Sequence, residues 1–430
     1  MRKRHWQFIR LFVAVLGFMQ GLIAVAQLRE DGVALSIGVL PLAGERFKTA
    51  QYQCWLPEKH GSLNGIIIHQ HGCGELPATQ SLTLILDTHW RALARKHGFA
   101  LVAPSYIVER ECQDWNDPAN GSERALLAAL DTLALQTHRP ELTTAPWVLW
   151  GHSGGSSWVA RMIMRQRKRI LAVSLRGGVS MHFGDAEFRG RFVAVARDLP
   201  LLFVLGKGEA LPSSKHHVSW GPMHTMSREL RQNGGLVALA VDPLTEHHCG
   251  NSRLLTIPFF DAILDAHSDN RKSPGVLIDT TTHRQLPMTP KGATNAGYIW
   301  LPSPVLARTW IEFSTTGSVV TVNPVKQRPH LAVEQVKDSL RVELTWQIEP
   351  GLKSGIRSVR IYRNDAPHKE IGVAPADFIA QHGDTPPAEL QVSRWVDNGV
   401  RAGFTYAYTI TFVNALGSES RPSKAVTIHL

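Results

Sequence analysis

The alternation of short apolar runs with longer amphipathic runs between residues 65 and about 265 is the feature that most constrains the fold of this chain. Short apolar runs bounded by Gly or Pro are typical of buried strands, and Ala- and Leu-rich runs with helical spacing are typical of helices. Buried strands that alternate with helices predict an α/β fold whose doubly wound, mostly parallel sheet is covered on both faces. The predicted strands span residues 65–68, 99–103, 147–150, 171–175, 201–205 and 236–241, and the predicted helices span 82–96, 122–135, 156–167, 225–232 and 258–266.

After residue 328, apolar residues alternate with polar residues, so that every second residue is apolar. Seven or so short strands in about 100 residues predict a C-terminal antiparallel β-sandwich over residues 328–430. Residues 268–327 carry the Pro, Gly, Asp and Asn residues of a connecting region, with one short Trp-bearing element around 305–313. The alternating apolar residues of the sandwich include Val342, Leu344, Trp346, Tyr406, Tyr408, Ile410 and Phe412.

The first 26 residues have the pattern of an export signal. A basic segment over residues 1–10 precedes a mainly apolar segment over 11–23, and Ala24-Val25-Ala26 forms a small-x-small cleavage site before Gln27. The apolar segment is shorter than the roughly 20 residues needed to span a bilayer. The sequence therefore predicts a secreted or periplasmic protein with no membrane span after signal removal, whose α/β domain spans residues 27–267.

The charge of the chain argues against a nucleic-acid partner. Its 430 residues carry 46 Lys and Arg against 36 Asp and Glu, for a formal net charge of +10. The basic residues are spread along the chain without a Lys/Arg block, and several lie in the predicted signal. With 43% hydrophobic and 19% charged residues, the chain can bury a core, which excludes a disordered protein.

The strongest chemical motif is Gly151-His152-Ser153-Gly154-Gly155, between the predicted strand 147–150 and the predicted helix 156–167. A serine hydroxyl becomes a nucleophile only when a neighbouring base takes its proton and the backbone presents it openly. A tight strand-to-helix turn presents it, and glycines are needed because neighbouring backbones pass close by. The amino terminus of the following helix favours negative charge at that point. This context predicts a nucleophilic Ser153.

Candidates for the acid and the base follow in the chain order Ser, acid, His. Glu209 comes directly after the predicted strand 201–205, and Asp242 is the alternative acid at the end of the strand 236–241. His247 and His248 follow that last strand, and either could reach the serine. Asp198 precedes its strand and is expected at the opposite end of the sheet.

These motifs give the chain a resemblance to a known family. Residues 52 to about 267 resemble the α/β-hydrolase superfamily. The segment from His247 to Arg253, together with the sandwich, is similar to exported bacterial esterases of the polyhydroxybutyrate depolymerase and feruloyl esterase types. The sandwich itself resembles a fibronectin type III module, through Trp346 and the Tyr406-x-Tyr408 pair.

The resemblance implies a triad of Ser153, His247 and Glu209, an acyl-enzyme intermediate and no cofactor. Related exported hydrolases use the first histidine of the His-x-Cys-Gly-x-Ser-Arg segment, so His247 is preferred and His248 stays the alternative. The implied substrate is a small or polymeric carboxylic ester. The sandwich is expected to serve attachment to a polymer or a cell surface.

The resemblance also implies an oxyanion hole built from the backbone N–H groups of Cys73 and Gly154. Cys73 follows the first predicted strand and stands where many relatives carry Gly or another small residue. The alternative for the pattern His69-x-His71-x-Cys73 is a metal site, which we disfavour because the serine turn already accounts for this loop.

Four cysteines in an exported chain allow three disulfide pairings. In the implied fold the strands 65–68 and 99–103 are neighbours, so the loops that carry Cys73 and Cys112 leave the same edge of the sheet. We therefore expect a Cys73–Cys112 disulfide. Cys54 is expected as a buried thiol, and Cys249 lies several strands away.

Three functions are consistent with these patterns. An exported serine hydrolase that cleaves carboxylic esters is the leading hypothesis. A catalytically inactive, hydrolase-like binding or scaffold protein is an alternative from another class, and a serine peptidase of the same fold is the third.

Overall fold

The computed structural model describes residues 24–29, 32–58, 61–73, 85, 87–109, 111–269, 274–289, 292, 294–317, 319, 328–347, 356–372, 393–414 and 418–430. Its main feature is a mixed sheet whose described strands follow the order β1-β2-β3-β5-β4-β6-β7-β8-β9. The strands β1 to β3 and the β3–β5 pair are antiparallel, and the sheet is parallel from β5 to β9. The strands are β1 (Ala24–Arg29), β2 (Gly32–Val39), β3 (Thr49–Pro57), β4 (Gly65–Gln70), β5 (Phe99–Ile107), β6 (Trp147–His152), β7 (Ile170–Arg176), β8 (Leu201–Gly206) and β9 (Val237–Asp242).

Helices cover both faces of this sheet, as the apolar pattern predicts. One face packs against α3, α4, α6 and α7, and the other packs against α1, α8 and α9. The helices are α1 (Thr88–His97), α2 (Glu111–Trp115), α3 (Ser122–Thr137), α4 (Gly154–Gln166), α5 (Ser180–Gly184), α6 (Ala186–Ala196), α7 (Trp220–Gln232), α8 (Arg253–Ser268) and α9 (Pro304–Thr316). The order of strands and helices is that of an α/β-hydrolase-like fold.

Two prolines occur inside elements rather than at their ends. Strand β5 continues through Pro104, where β4 no longer pairs with it and a missing N–H therefore costs little. Helix α8 begins at Arg253, five residues before Pro258, which lies inside it. Of the predicted helix 82–96, residues 82–84 and 86 lie outside the described residues, and α1 begins at Thr88.

The described parts of the expected connecting region belong to the core of the main sheet. Residues 276–301 form a small antiparallel sheet in the order β11-β10-β12, and α9 follows it. Leu277, Trp300 and Phe313 are buried in the same apolar cluster as β4 and β6. The three strands are β10 (Val276–Asp279), β11 (Gln285–Pro287) and β12 (Tyr298–Leu301).

The C-terminal part contains two separate antiparallel sheets, in the orders β13-β14-β17 and β16-β15-β18-β19. Val342, Leu344 and Tyr408 belong to its apolar cluster, which is distinct from the clusters on the main sheet. The strands are β13 (His330–Gln335), β14 (Val342–Gln347), β15 (Ile356–Arg363), β16 (Ala366–Gly372), β17 (Arg394–Asp397), β18 (Thr405–Asn414) and β19 (Val426–His429).

The predicted export signal lies mostly outside the described residues. Its last three residues, Ala24 to Ala26, are part of β1 and pair with Ile37, Ser36 and Leu35 of β2. Among the described residues, none of the helices combines the length and the apolar composition that a bilayer span requires.

Candidate active site

Ser153 lies in the sharp turn between β6 and α4. Its backbone has φ +52° and ψ −117°, a conformation that a non-glycine residue rarely adopts, and its N–H donates to the Arg176 carbonyl at 2.9 Å. A Cβ on Gly155 would collide with the carbonyl oxygens of Gln70 and His71, so glycine is needed there. Sequence and structure therefore agree on a strained turn that presents Ser153.

A disulfide joins the segment that follows β4 to the short helix α2. Cys73 and Cys112 are bonded, with their Cα atoms 5.1 Å apart, which confirms the expected pairing. A Cβ on Gly154 would collide with both sulfur atoms, so the disulfide lies directly against the first residue of α4. The sulfur atom of Cys73 thus lies against Gly154, the other residue implied for the oxyanion hole. Cys54 is a buried thiol, as expected.

Glu209 and His247 are brought together by the ends of β8 and β9. The Nδ1–H of His247 donates to Oε1 of Glu209 at 2.5 Å. Glu209 is fully buried, while the side chain of His247 is 12% exposed. The other oxygen, Oε2, accepts the backbone N–H of Gly206 at 2.9 Å. The carboxylate therefore fixes both the orientation and the tautomer of the imidazole.

Arg176, at the end of β7, contacts both Glu209 and the loop that carries His247. Its Nη1 lies 3.3 Å from Oε2 of Glu209, and its side chain is fully buried. Its Nη2 donates to Thr245 Oγ1 at 3.1 Å, to the Glu246 carbonyl at 2.8 Å and to the His248 carbonyl. One guanidinium thus connects the carboxylate to the loop that carries His247.

The electrostatics of Glu209 reflect its burial. Burial raises the pKa of the Glu209 carboxyl above its ordinary value, and the charge of Arg176 and the Gly206 N–H oppose that rise. An ionised carboxylate in a dry site needs such partners, because unpaired burial of charge is costly.

Two further histidines contact His247. The ring of His216 is stacked on the His247 ring, with centroids 3.6 Å apart and planes 3° from parallel. Nε2–H of His152, the residue before Ser153, donates to the His247 carbonyl at 2.8 Å. These contacts link the His247 loop to the serine turn. The sequence does not predict a role for His216, because a histidine in a loop has no spacing signal.

Glycines after β7 leave room for the site. A Cβ on Gly177, which has φ +62°, would lie 2.9 Å from Cε1 of His247 and 3.0 Å from Oε1 of Glu209. A Cβ on Gly178 would collide with the Ser153 carbonyl. The two glycines that follow β7 therefore leave space for the side chains of Glu209 and His247 and for the backbone of the Ser153 turn.

The other candidates have different neighbours. Asp242 is buried at the end of β9, and its Oδ1 accepts the Leu244 N–H at 2.9 Å. The side chain of His248 is exposed. Asp198 is paired with Arg167 at 2.8 Å, at the opposite end of β8. Of the described carboxylates, Glu209 is the one bonded to the His247 ring.

The chemistry of the His69-x-His71-x-Cys73 pattern does not fit a metal site. Cys73 is consumed by the disulfide, so no thiolate is left to act as a ligand. His69 is fully buried and stacked on the indole of Trp150, with ring centroids 3.7 Å apart. A second cluster, His97, Asp261 and Asp265, already has Lys96 bound to both carboxylates.

Several known structures align with a little over half of this chain at low identity. A poly(3-hydroxybutyrate) depolymerase from Bordetella parapertussis aligns at 16% identity and a TM-score of 0.36, over 55% of this chain and 90% of that chain. An S-formylglutathione hydrolase from Agrobacterium tumefaciens aligns at 14% identity and a TM-score of 0.38, over 58% of this chain and 98% of that chain. A cold-adapted esterase from an Arctic intertidal metagenomic library aligns at 18% identity and a TM-score of 0.34, over 56% of this chain and 97% of that chain.

No family model matches the sequence, and a search of the curated proteins gives no match. At these identities and TM-scores the likeness to solved structures says nothing about the reaction. The chemistry of this site is therefore inferred from the contacts of its own residues.

Proposed function

We propose that this chain hydrolyses carboxylic esters through a triad of Ser153, His247 and Glu209. The observation that carries the proposal is the 2.5 Å bond from His247 Nδ1 to the buried Glu209 carboxylate, at the same end of the sheet as the strained Ser153 turn. A carboxylate-bonded histidine at the same end of the sheet as a half-buried serine in a strand-to-helix turn is the arrangement that can activate a hydroxyl.

The proposed triad would support ester hydrolysis through an acyl-enzyme in two steps. Ser153 Oγ attacks the ester carbonyl while His247 Nε2 takes the hydroxyl proton, which gives a tetrahedral oxyanion. Collapse of the oxyanion breaks the C–O bond, and His247 returns the proton to the leaving alcohol. Water then attacks the acyl-enzyme with His247 again as base, which releases the carboxylic acid and restores Ser153.

We assign the oxyanion hole to the backbone N–H groups of Cys73 and Gly154. The proposal is supported by the disulfide, which packs against Gly154 and ties the Cys73 loop to the start of α4. The amino terminus of α4 adds a favourable dipole. Loss of one such donor lowers turnover by about 10²–10³.

We further propose that the protein is exported and that its C-terminal part is a fibronectin type III-like sandwich that attaches the enzyme to a polymer or a cell surface. Two sheets of three and four described strands support the sandwich. The Tyr406 hydroxyl also accepts the Arg401 N–H at 2.9 Å, as in the tyrosine corner of such domains.

Ester turnover by matched variants tests the triad. With p-nitrophenyl butyrate as substrate, Ser153→Ala and Glu209→Gln are expected to lower kcat by about 10⁴ or more. The control Asp242→Asn alters the other buried acid beside the loop and is expected to stay within about tenfold of wild type. A larger loss of kcat for Asp242→Asn than for Glu209→Gln would show that Asp242, and not Glu209, is the acid of the triad.

The two other functions have distinct outcomes in the same assay. An inactive binding protein would turn over neither ester nor peptide substrates at a rate that depends on Ser153. A serine peptidase would cleave chromogenic peptides at least as efficiently as the ester, with the same dependence on Ser153 and His247.

A further inference from the structure

A second concave site lies at the open edge of the main sheet, away from the triad. It has a volume of about 680 Å³ and lies between α7, the edge strand β9, the β10–β12 sheet and α9. This volume is within the usual range for a small-molecule site. None of Ser153, Glu209 and His247 lines it.

The floor and one side of this cleft are aromatic. Trp310 is almost fully buried, and its Nε1–H donates to the Leu239 carbonyl of β9 at 3.0 Å, which satisfies an edge carbonyl. Trp220 and Tyr298 line the cleft and are half-buried, so parts of their rings remain accessible. Accessible rings at a pocket favour a flat or apolar ligand body.

The cleft is lined by one guanidinium, two imidazoles and several hydroxyl groups. Arg228, His224 and His283 line it, together with several hydroxyl groups, and none of its described lining residues is Asp, Glu, Asn or Gln. The cleft therefore holds the guanidinium of Arg228 and, among its described lining residues, no carboxylate that would repel an anion. A guanidinium with imidazoles beside it suits a carboxylate.

Two of these groups have no hydrogen-bond partner among the described residues. His224 Nε2 and Ser314 Oγ are both buried from solvent yet unbonded. Burial and the charge of Arg228 lower the pKa of His224, which favours its neutral form. A ligand that accepts a hydrogen bond from either group would relieve the unsatisfied burial of that group.

We propose that this cleft binds a small organic carboxylate with an aromatic body. The carboxylate of the ligand would pair with Arg228 and accept a hydrogen bond from His224. The aromatic ring of the ligand would pack against Trp220 and Tyr298. This proposal does not depend on the ester hydrolase activity, because the two sites share none of the residues named for either role.

Calorimetry on full-length protein tests the proposal. The chain carries Ser153→Ala, so that ester chemistry and the serine pocket are altered while the cleft is intact. Cinnamate is expected to bind saturably at one site, and the isosteric neutral cinnamamide is expected to bind at least tenfold more weakly. Equal binding of acid and amide, or no saturable binding of cinnamate, would overturn the proposal.

Variants locate the binding. In the same background, Arg228→Gln and Trp220→Leu are each expected to weaken cinnamate binding at least tenfold. The control is Arg191→Gln on α6, whose arginine is 65% exposed and lies 3.7 Å from Glu187. Cinnamate binding that survives both cleft variants would place the ligand elsewhere. Loss of ester turnover in Ser153→Ala is measured separately, so failure of one proposal does not imply failure of the other.

Discussion

Arg176 Nη1 lies 3.3 Å from Oε2 of Glu209, and both side chains are fully buried. A buried ion pair is costly to assemble but far more costly to break on one side. Here the guanidinium also bonds to the His247 loop, so it acts on the acid and the base of the proposed triad together. Arg176 is therefore a positioning residue, although it belongs to a strand between those that carry Ser153 and Glu209.

Replacement of Arg176 is expected to move the acid limb of the pH–rate profile. Burial already raises the pKa of Glu209, and loss of the Arg176 charge removes the main opposing influence, so the pKa rises further. In Arg176→Met the acid limb of kcat/KM is expected to move to higher pH by about 1–3 units. The measurement is kcat/KM for p-nitrophenyl butyrate from pH 5 to 9.

Arg176→Lys is the companion variant, because it keeps the charge and loses the forked hydrogen bonds. Its acid limb is expected to stay close to that of wild type while kcat falls. An unshifted profile in a folded Arg176→Met protein would show that the charge does not act on the ionisation of Glu209.

Loss of the Cys73–Cys112 disulfide is expected to affect both stability and turnover. The bond closes a loop of 39 residues, and such a bond contributes about 2–4 kcal/mol to the free energy of unfolding. Because it lies against Gly154, Cys112→Ala is also expected to lower kcat by about tenfold to a hundredfold. Cys54→Ala, a buried thiol outside the site, is the control. A stability loss with unchanged kcat would show that the bond does not brace the oxyanion hole.

His69 is expected to make the fold sensitive to acid. Burial, followed by the influence of His71 and His152, lowers the pKa of His69 well below its ordinary value of 6.5. The unfolded chain therefore binds this proton more readily than the native chain. The stability that depends on neutral His69 is complete above pH 6.5 and falls by about 1.4 kcal/mol per pH unit below it.

Urea unfolding at pH 7.5, 6.5 and 5.5 measures this dependence. His69→Phe keeps a ring stacked on Trp150 without a titrating group, so the slope between pH 6.5 and 5.5 is expected to decrease. His330→Phe, at an exposed position at the start of β13, should leave the slope unchanged. An equal slope in wild type and His69→Phe would exclude this histidine as its source.

Removal of residues 328–430 is expected to leave the turnover of small esters within a few-fold of the full chain. The apolar cluster of the C-terminal sheets is separate from the two clusters on the main sheet. The truncated chain is checked by circular dichroism and assayed on p-nitrophenyl butyrate and on a solid polyester. Complete loss of small-ester turnover in a folded truncation would assign the module a part in the active site.

The sequence predicted those parts of the fold that depend on local patterns. The strands β4 to β9, the strained turn at Ser153 and the disulfide follow from apolar runs, glycine spacing and the order of strands. The sequence predicts that helix α8 begins at Pro258, because proline is tolerated in the first turn of a helix but disfavoured in its interior. The helix instead begins at Arg253 and continues through Pro258.

The remainder depends on contacts between distant segments. Arg176 meets the His247 loop about 70 residues away, and His216 stacks on His247 from a loop without regular structure. Residues 276–316 have short, polar-flanked elements, so only their packing reveals that they extend the hydrolase-like core. Residue spacing within one sequence does not predict contacts between residues so far apart along the chain.

The identity of the nucleophile is tested most directly by intact mass and peptide mapping after reaction with a fluorophosphonate. The serine oxygen displaces fluoride, so the account predicts one adduct per chain, on the peptide that contains Ser153. Ser153→Ala is predicted to stay unmodified, while Ser157→Ala, one turn along α4, is labelled like wild type. Labelling of Ser153→Ala at the wild-type rate, or an unmodified wild-type chain, would contradict the proposed serine hydrolase.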